Sequence, residues 1–536
     1  MAHVIVVGSG ASGVQYAAMA LERGHDVTIV DVGNRAPDTV APDSSLNELK
    51  DRLPDPALYF LGNEYGAVLY PDAKEEYYGF PPTKEFIFET PDVSPPSSSG
   101  FRPLLSYARG GLAEAWTGGV YPLNDLELSD FPIGYDDLEP YYERIAEHIG
   151  VSGTDDDLRR FYPLHANLQP ALNLDAHSRS LLETYEERKS RINRDTGAYL
   201  GHSRLATISR DLGDRKACDY KGRCLWGCPS ESLYTPSVTL RRCLQHPNFS
   251  YQPNLHVSHL ELNGRDELQC LVATSVVDGR RCRFEADRFV LGAGALSSAK
   301  IFLETIFRRS GDIVKLKGLM DNRQILMPFL NPRLMGRQYD PESYQYHQLT
   351  MGIELDSARE YLHCQITTLT TALAHPLVQK FPFDLRSSIS TFRNLRSGLG
   401  LVNINLHDRR RASNYVTLRP DVDGGPARLI VRYHPAPNEG HRIRRAIRKV
   451  RSALWQLGCL APPGTMHIRP MGASVHYAGT IPMSTRPESF TVSSDCVSHD
   501  FENLQIIDGS IFPFLPSKNI TFTLMANAAR VADSDF

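Results

Sequence analysis

The sequence predicts an α/β fold (α+β overall), in which a discontinuous Rossmann-like nucleotide-binding domain is interleaved with a domain built on antiparallel sheet. Residues 3–31 contain, in order, a strand pattern, a glycine-rich turn, a helix pattern and a second strand pattern. A further strand, glycine turn and helix pattern occurs at residues 288–305. Runs rich in Thr, Tyr, Ile and Val between residues 340 and 435, such as YLHCQITTLT and RLIVRYH, predict an antiparallel sheet separate from the nucleotide domain.

The composition predicts a globular chain of more than one domain. The 536 residues are 41% hydrophobic and 22% charged, which is enough apolar material for large cores. The 58 Lys and Arg residues nearly balance the 62 Asp and Glu residues, giving a net charge of -4. This balance argues against nucleic acid as the main partner, since phosphate binding usually requires a basic surface. No apolar run reaches the roughly 18 residues of a membrane-spanning helix, so we expect no membrane span.

The amino-terminal segment HVIVVGSGASGVQYAAMALERGHDVTIVD carries a dinucleotide-binding fingerprint. Gly8 permits a tight turn, Gly10 lets the backbone approach a pyrophosphate, and Gly13 lets the helix pack closely on the strand. Asp31 ends the second strand and can accept both ribose hydroxyls of an adenosine. An ordinary glycine turn is the alternative, but the strand, helix and acidic residue together favour a dinucleotide.

The fingerprint does not by itself separate FAD from NAD. FAD enzymes of the doubly wound class often carry it at the start of the chain, with the rest of the FAD domain scattered downstream. The segment RFVLGAGALSSAKIFLET at residues 288–305 fits that arrangement. The position of the motif therefore favours FAD.

Three further elements can be predicted. Residues 135–151 have a helical period that ends at Gly150, and Asp278-Gly279 predicts the turn of a hairpin. Residues 441–458 predict a basic amphipathic helix with an apolar stripe that includes Ile443 and Val450. A solvated basic face over a packed stripe is its expected role, and docking to a membrane or an anionic partner is the alternative.

Nine cysteines, an odd number spread along the chain, are typical of reduced thiols in a cytoplasmic protein. The first apolar run leads directly into the glycine loop, so we interpret it as a strand and not as a signal peptide. Cys218, Cys224 and Cys228 form one dense patch, but three soft ligands are one fewer than a zinc or iron–sulfur site normally uses. We therefore expect structural thiols there and no metal, although the role of the patch stays open.

The last 70 or so residues carry the motifs His476-x-x-Gly479-Thr480, Asn503-Leu-Gln-Ile-Ile-Asp508-Gly-Ser and Asn519-Ile-Thr521. In this order they resemble the glucose–methanol–choline (GMC) family of FAD oxidoreductases. The segments 108–119, 288–305 and 318–328 resemble further family motifs, with Asn322-Arg323 where the family usually has an acid and a histidine. The resemblance implies that His476 is the catalytic base and that Asn519 is its partner.

The resemblance, together with the fingerprint, also implies the residues that contact FAD. Some family members attach FAD covalently through a histidine just before the position of Trp116, and this chain has Ala115 there. We therefore expect FAD to be bound without a covalent bond through this loop. The implied contacts are Gly8, Gly10, Ala11, Ser12, Gly13, Asp31, Val32, Arg109, Gly111, Trp116, Thr117, Gly118, Val257, Ala293, Asp508, Gly509, Asn519, Ile520 and Thr521.

The chemistry implied is alcohol oxidation. His476 would take the hydroxyl proton, flavin N5 would accept the hydride, and Asn519 would hold the same oxygen in place. We also expect Asn519 to act as the N-cap of a helix over residues 520–533, whose amino terminus would face negative charge developing on the flavin. His202, His256 and His347 are interpreted as structural or surface histidines.

Trp116 and the cysteine loop resemble the sugar-oxidising branch that includes pyranose oxidase and bacterial sugar dehydrogenases. The sequence therefore predicts oxidation of a secondary alcohol of a sugar or glycoside to a ketone, a small polyhydroxyl substrate, and oxygen or a quinone-like electron acceptor. Oxidation of a non-sugar alcohol of secondary metabolism and a lyase on the same fold are alternatives, and a photodecarboxylase and a non-catalytic binding protein are weaker ones. The oligomeric state stays open.

The motif order divides the chain into two interleaved domains. Residues 1–34, 105–160, 200–310 and 462–536 are predicted to form the FAD-binding domain. Residues 35–104, 161–199 and 311–461 are predicted to form the substrate-binding domain.

Overall fold

The structure is a computed structural model that describes the chain except for residues 37–42, 63–75, 77–79, 92–94, 264–266, 340, 356, 358, 370–377, 379–380, 421–426 and 535–536. Its two largest sheets differ in type. One is parallel and contains the amino-terminal strand, and the other is antiparallel and draws its strands from distant parts of the chain.

The nucleotide sheet, as we name it, has five parallel strands. In spatial order they are Leu504–Ile506, Arg288–Leu291, His3–Val7, Asp26–Val30 and Phe249–Gln252. Residues 4–7 are at most 4% exposed, as expected for a continuous apolar run covered on both faces of a parallel sheet. The helices Ala11–Glu22, Ala295–Ser310 and Thr521–Asp533 begin beside this sheet, and the predicted strand, turn and helix units at both positions are confirmed.

A three-stranded antiparallel sheet follows the nucleotide-sheet strand Phe249–Gln252 in the sequence. It contains Leu255–Leu262, Leu268–Ser275 and Arg281–Glu285. The last two strands form the predicted hairpin, and Gly279 in its turn has a φ of 72°. That backbone conformation favours glycine, so the Asp-Gly prediction is confirmed.

The amide sheet, as we name it for its polar face, has six antiparallel strands. In spatial order they are His467–Ile468, Arg323–Leu330, Leu399–Leu406, Leu362–Thr368, Leu349–Ile353 and Ala198–His202. Alternate residues such as Ile325, Ile404 and Cys364 form an apolar core with the helices Ala176–Thr196 and Glu439–Gln456. The other face carries polar side chains, because successive residues of a strand point to opposite faces.

The basic amphipathic helix predicted at 441–458 is confirmed as Glu439–Gln456, with Ile443, Val450 and Leu454 buried. The helix predicted at 135–151 is confirmed as Tyr135–Ile149, which ends at Gly150. Among the described helices, none is long and apolar enough to cross a bilayer.

A four-stranded sheet corrects the expectation of one separate antiparallel sheet between residues 340 and 435. In spatial order its strands are Lys315–Lys317, Tyr415–Arg419, Arg428–Arg432 and Ser97–Ser99. Val416 and Val431 of this sheet belong to the same apolar core as the nucleotide sheet. The β-rich region therefore divides between two sheets, because its apolar faces pack against two different cores. The domain boundaries given above stay a prediction.

The remaining described elements are short. The strands Val151–Ser152 and Leu168–Gln169 pair with each other, as do Asp408–Arg409 and Phe514–Leu515. The other α-helices are Leu49–Arg52, Pro56–Leu61, Asp125–Leu128, Pro236–Cys243 and Leu385–Leu395. The 3₁₀ turns are Pro82–Ile87, Gly111–Glu114, Asp157–Arg160, Cys224–Trp226, Pro332–Leu334, Arg396–Gly398 and Gly509–Ile511.

Candidate active site

A cleft runs along the carboxyl ends of the nucleotide-sheet strands. Gly8, Asp31, Gly292 and Asp508 follow four of these strands and all line the cleft. The carboxyl edge of an open parallel sheet is where such folds bind their ligands. The cleft is therefore the first candidate for a cofactor site.

The glycine loop has the geometry that its sequence predicts. Gly8 has a φ of 96°, which favours glycine. A Cβ at Gly13 would lie 2.0 Å from the Gly8 carbonyl oxygen, so only glycine allows this helix-to-strand contact. A Cβ at Gly10 would meet no atom within 4 Å, so the backbone there is open to the cleft. The loop thus leaves room for a group to approach its backbone closely.

Three helices begin at this cleft without a side-chain cap. Their N-cap residues are Gly10, Gly294 and Ile520, and none of them makes a side-chain cap hydrogen bond. All three line the cleft. The first N–H groups of a helix need acceptors and favour negative charge, so three uncapped starts suit a ligand that carries phosphates.

The expectation that Asn519 caps the last helix is wrong. Ile520 occupies the cap position, and the Asn519 amide is turned away to bond other side chains. The helix Thr521–Asp533 keeps its predicted position, with Ile520 and Thr521 in the cleft lining.

Two buried carboxyl groups lie in the cleft lining. Asp31 accepts a hydrogen bond from the Ser9 N–H at 3.1 Å and another from the Ser9 hydroxyl, and burial raises the pKa of Asp31 to about 6. Asp508 accepts from the hydroxyls of Ser298 and Ser510 at 2.5 and 2.6 Å, and burial raises its pKa above the ordinary value. Both carboxyl groups are held in fixed orientations at the edge of the sheet.

His476 lines the same cleft and lies between two asparagines. Its Nδ1 is 2.9 Å from Asn322 Oδ1, and its Nε2 is 3.5 Å from Asn519 Nδ2. Burial, with a smaller contribution from the charge of Arg469, lowers the pKa of His476 to about 4. The imidazole is therefore neutral at ordinary pH and able to accept a proton.

The loop before His476 is held in a strained conformation. Val475 has a φ of 57°, which a β-branched residue rarely adopts. The His476 N–H donates to Ser474 Oγ at 3.1 Å, and the Ser474 hydroxyl donates to Asp321. Asp321 also accepts from the Gly472 N–H at 2.6 Å, and burial raises its pKa to about 7. This network fixes the direction of the imidazole.

Asn519 is held from both sides. Its Oδ1 accepts from Gln365 Nε2 at 2.7 Å, which links it to the polar face of the amide sheet. The preceding residue, Lys518, is fully buried and forms an ion pair with the equally buried Glu127 at 2.7 Å. Burial lowers the pKa of Lys518 and raises that of Glu127, so each group depends on the charge of the other.

The structure brings most of the residues implied as FAD contacts to the one cleft, although contact with FAD itself stays a prediction. Gly13, Arg109 and Asn519 lie outside the lining. Gly13 packs on Gly8, and Asn519 contacts His476, which is in the lining. Trp116, Thr117 and Gly118 also lie outside the lining, and the Trp116 indole donates to the Tyr234 carbonyl at 2.7 Å. The residues in the lining are Gly8, Gly10, Ala11, Ser12, Asp31, Val32, Gly111, Val257, Ala293, His476, Asp508, Gly509, Ile520 and Thr521.

Sequence reasoning missed Asn322 and Gln365. In the sequence, Asn322 is visible only as a departure from a family motif, and Gln365 lies in the strand LHCQITT, where alternation places polar residues on one face. His256 lines the cleft, and His347 lies buried with its Nε2 3.4 Å from Gln365 Nε2. The alternation pattern was the available signal for Gln365.

The cysteine patch lies apart from this cleft. All nine cysteines are free thiols, and burial raises the pKa of Cys218 to about 11. Cys228 Sγ lies 3.0 Å from the Ser232 hydroxyl. Among the described residues, no group of three or more His, Cys, Asp or Glu side chains is arranged to hold a metal ion.

The donor set of the cleft fits FAD. The open backbone at Gly10 and the uncapped helix starts suit a pyrophosphate, Asp31 suits a ribose, and His476 lines the same cleft. A dinucleotide held in this cleft would share it with His476, which contacts Asn519.

Comparisons with known proteins agree with this assignment. The family model described as GMC oxidoreductase matches residues 410–528. The 6'''-hydroxyparomomycin C oxidase of Streptomyces lividus is 24% identical, over 99% of this chain and 90% of that protein. The fructose dehydrogenase large subunit of Gluconobacter japonicus is 22% identical, over 99% of this chain and 97% of that protein.

Among solved structures, pyridoxine 4-oxidase from Mesorbium loti superposes with a TM-score of 0.60, covering 99% of this chain and 98% of that one. Its sequence identity is 16%, so it supports the fold alone. The GMC oxidoreductase model therefore matches the carboxyl-terminal part of this chain, and the whole chain shares its fold with the pyridoxine 4-oxidase structure.

Proposed function

We propose that the protein oxidises a secondary hydroxyl of a sugar or glycoside to a ketone, using FAD. The observation that carries this proposal is the contact of Asn519 with His476, which lines the cleft. Two of the relatives are named for the oxidation of hydroxyl-rich compounds, a hydroxyparomomycin and fructose.

The chain's own residues supply the proton chemistry and the alignment. His476, neutral because burial lowers its pKa, accepts the proton of the substrate hydroxyl at Nε2. Asn519 donates an N–H to the same oxygen and thereby limits the rotation of the carbon that carries it. When bound, FAD supplies the acceptor for the hydride that leaves this carbon.

The amide side chains on the polar face of the amide sheet favour the proposal of a substrate with several hydroxyl groups. Asn403 Nδ2 donates to Gln365 Oε1 at 3.4 Å, and Gln324 Nε2 donates to Asn405 Oδ1 at 2.8 Å. Asn403 Oδ1 is buried and has no hydrogen-bond partner among the described residues. Amides offer both donors and acceptors, which is what neutral hydroxyl groups require.

Anaerobic mixing with a panel of sugars, glycosides and non-sugar alcohols tests the proposal. A sugar or glycoside that bleaches the flavin absorbance, with the ketone identified by mass spectrometry, is the expected result. Bleaching only by non-sugar alcohols would contradict the sugar assignment. Turnover of a substrate without bleaching would contradict oxidation and favour a lyase.

The electron acceptor and the location belong to the same proposal. We expect oxygen or a quinone to reoxidise the reduced enzyme, and stopped-flow reoxidation with each would separate an oxidase from a dehydrogenase. The nine free thiols favour the cytoplasm. FAD is expected to be released by acid precipitation, since Ala115 stands where some relatives carry the attaching histidine.

A further inference from the structure

Asn322 is fully enclosed beneath His476, with 1% of its surface exposed. Its Nδ2 donates to two backbone carbonyl oxygens, that of Leu406 at 2.9 Å and that of Pro516 at 2.8 Å. Because carbonyl oxygens only accept, the amide cannot be turned around without placing its own oxygen against both of them. The backbone therefore determines that Asn322 Oδ1 faces His476.

The orientation of Asn322 determines where the proton of His476 lies. Oδ1 is 2.9 Å from His476 Nδ1 and can only accept, so Nδ1 carries the hydrogen. In a neutral imidazole the other nitrogen, Nε2, is then the acceptor. Nε2 is the nitrogen that faces Asn519.

The same reasoning continues to Asn519 and the amide sheet. A bare Nε2 requires a donor opposite it, which places Asn519 Nδ2 at the observed 3.5 Å. Asn519 Oδ1 then points away and accepts from Gln365 Nε2 at 2.7 Å. The chain of bonds is consistent from the two carbonyls to the amide sheet, with each donor facing an acceptor.

We propose that Asn322 is a positioning residue that fixes His476 in its Nδ1-protonated tautomer, so that the bare Nε2 and the Asn519 N–H together face the substrate oxygen. This inference rests on the proposed function in taking His476 as the proton acceptor. Asn322 does not touch the substrate in this role. It acts through His476, and the amide sheet supplies the matching support for Asn519 through Gln365.

The geometry also explains why a neutral amide suits this position. A carboxylate beside Nδ1 would stabilise the charged imidazole and raise the pKa of His476. The amide accepts the Nδ1 hydrogen without adding charge, so it orients the base and leaves its pKa low. The groups near the imidazole that carry or can acquire charge are Arg469, which lowers the pKa of His476, His363, and Asp321 behind Ser474.

The first test uses the holoenzyme without any change in the site. Histidine labelled with nitrogen-15 would be incorporated, and the His476 signals would be assigned by their loss in His476→Ala. We expect Nδ1 protonated and Nε2 bare from about pH 6 to about pH 9, the range in which the group is neutral. A protonated Nε2 over this range would overturn the proposal whatever the substrate is.

The second test replaces Asn322 with leucine, which has a similar size and no acceptor. In Asn322→Leu we expect the Nε2-protonated tautomer to appear and flavin reduction by substrate to slow about 10- to 100-fold, with a smaller change in KM. Asn414→Leu is the matched control, because Asn414 is buried and bonds the backbone of Leu319 and His434 away from His476.

The control is expected to keep the wild-type tautomer. A variant Asn322→Leu that retains the Nδ1-protonated tautomer and reduces its flavin at the wild-type rate would overturn the proposal. If that variant does not fold, the tautomer of the unaltered holoenzyme decides the question. Failure of the proposed function would appear instead as an Nδ1-protonated His476 in an enzyme that no alcohol reduces.

Discussion

The two sides of the candidate site are formed by different chemical groups. On the nucleotide side, backbone atoms form the surface: the glycine loop, three uncapped helix starts and the carboxyl ends of parallel strands. On the substrate side, side-chain amides and one imidazole form it, supported by a buried ion pair. A backbone surface depends on which residues lack a Cβ, whereas a side-chain surface depends on partners that are distant in the sequence.

Substitutions on the two sides are therefore expected to act by different mechanisms. A substitution on the nucleotide side acts by filling space where only glycine fits. A substitution on the substrate side acts by leaving a buried donor, acceptor or charge without its partner.

Removing the charge of Lys518 should have the largest effect on stability. Lys518→Met would leave Glu127 buried and unpaired and would remove the donors to the Pro122 and Phe161 carbonyls. We expect the free energy of unfolding to fall by about 3–5 kcal/mol, measured by chemical denaturation. The double variant Lys518→Met with Glu127→Gln should recover a large part of this loss. A single variant as stable as the wild type would show that the ion pair does not support the Asn519 segment.

A methyl group at Gly13 should be more harmful than one at Gly10. In Gly13→Ala the new Cβ would lie 2.0 Å from the Gly8 oxygen, so the helix and loop must separate. We expect a loss of about 1–3 kcal/mol in stability and little bound FAD. Gly10→Ala is the matched variant, since its Cβ meets no protein atom. It should keep the melting temperature and bind FAD less tightly, as measured by flavin fluorescence. Equal melting temperatures for the two variants would refute the backbone account of this side.

The pH dependence of flavin reduction should show an acidic limb well below that of an ordinary histidine. His476 has its pKa lowered to about 4 by burial, so it stays neutral and basic as the pH falls through about 6.5, the usual histidine value. The rate should decline only as the pH approaches about 4.

Asp321, with a pKa raised to about 7, is another titrating group near this loop. For that reason the rate profile should also be measured in Asp321→Asn. A limb near pH 6.5 in that variant would contradict the assignment of a buried neutral base.

Protonation of buried histidines at acidic pH should lower the stability of the folded protein. A histidine whose pKa is lowered in the folded protein contributes stability above its unfolded pKa and loses it as the pH falls through the folded value. His165, His177 and His256 share the lowered pKa of about 4. Acid unfolding is therefore expected between about pH 6 and about pH 4.

The sequence predicted the nucleotide side well, because its determinants are close together. Gly8, Gly13 and Asp31 lie within one strand, turn, helix and strand unit, and together with that context their spacing favours a dinucleotide-binding fold. The hairpin turn at Asp278-Gly279 is also predicted from neighbouring residues. His476 is predicted from motifs that resemble a family, and it lines the cleft, while its role as the base stays a prediction.

The substrate side could be predicted only in part. Asn322, Gln365 and Asn519 meet His476 through antiparallel pairing and loops that cannot be deduced from local patterns. Asn519 illustrates the reason. Its local sequence favours a helix cap, but its amide bonds Gln365, which is distant in the sequence, and is held away from the helix end. The β-rich region divided between two sheets for a similar reason, since alternation shows that a strand has an apolar face but not which core covers it.

The central claim is that His476 removes the hydroxyl proton during oxidation of the substrate alcohol. The most direct measurement is the rate of anaerobic flavin reduction by a sugar or glycoside substrate in wild type and in His476→Ala, with FAD content measured in both. We predict equal FAD content and a reduction rate lower by about 10²–10⁴-fold in the variant. A variant that binds FAD and is reduced at the wild-type rate would contradict the claim.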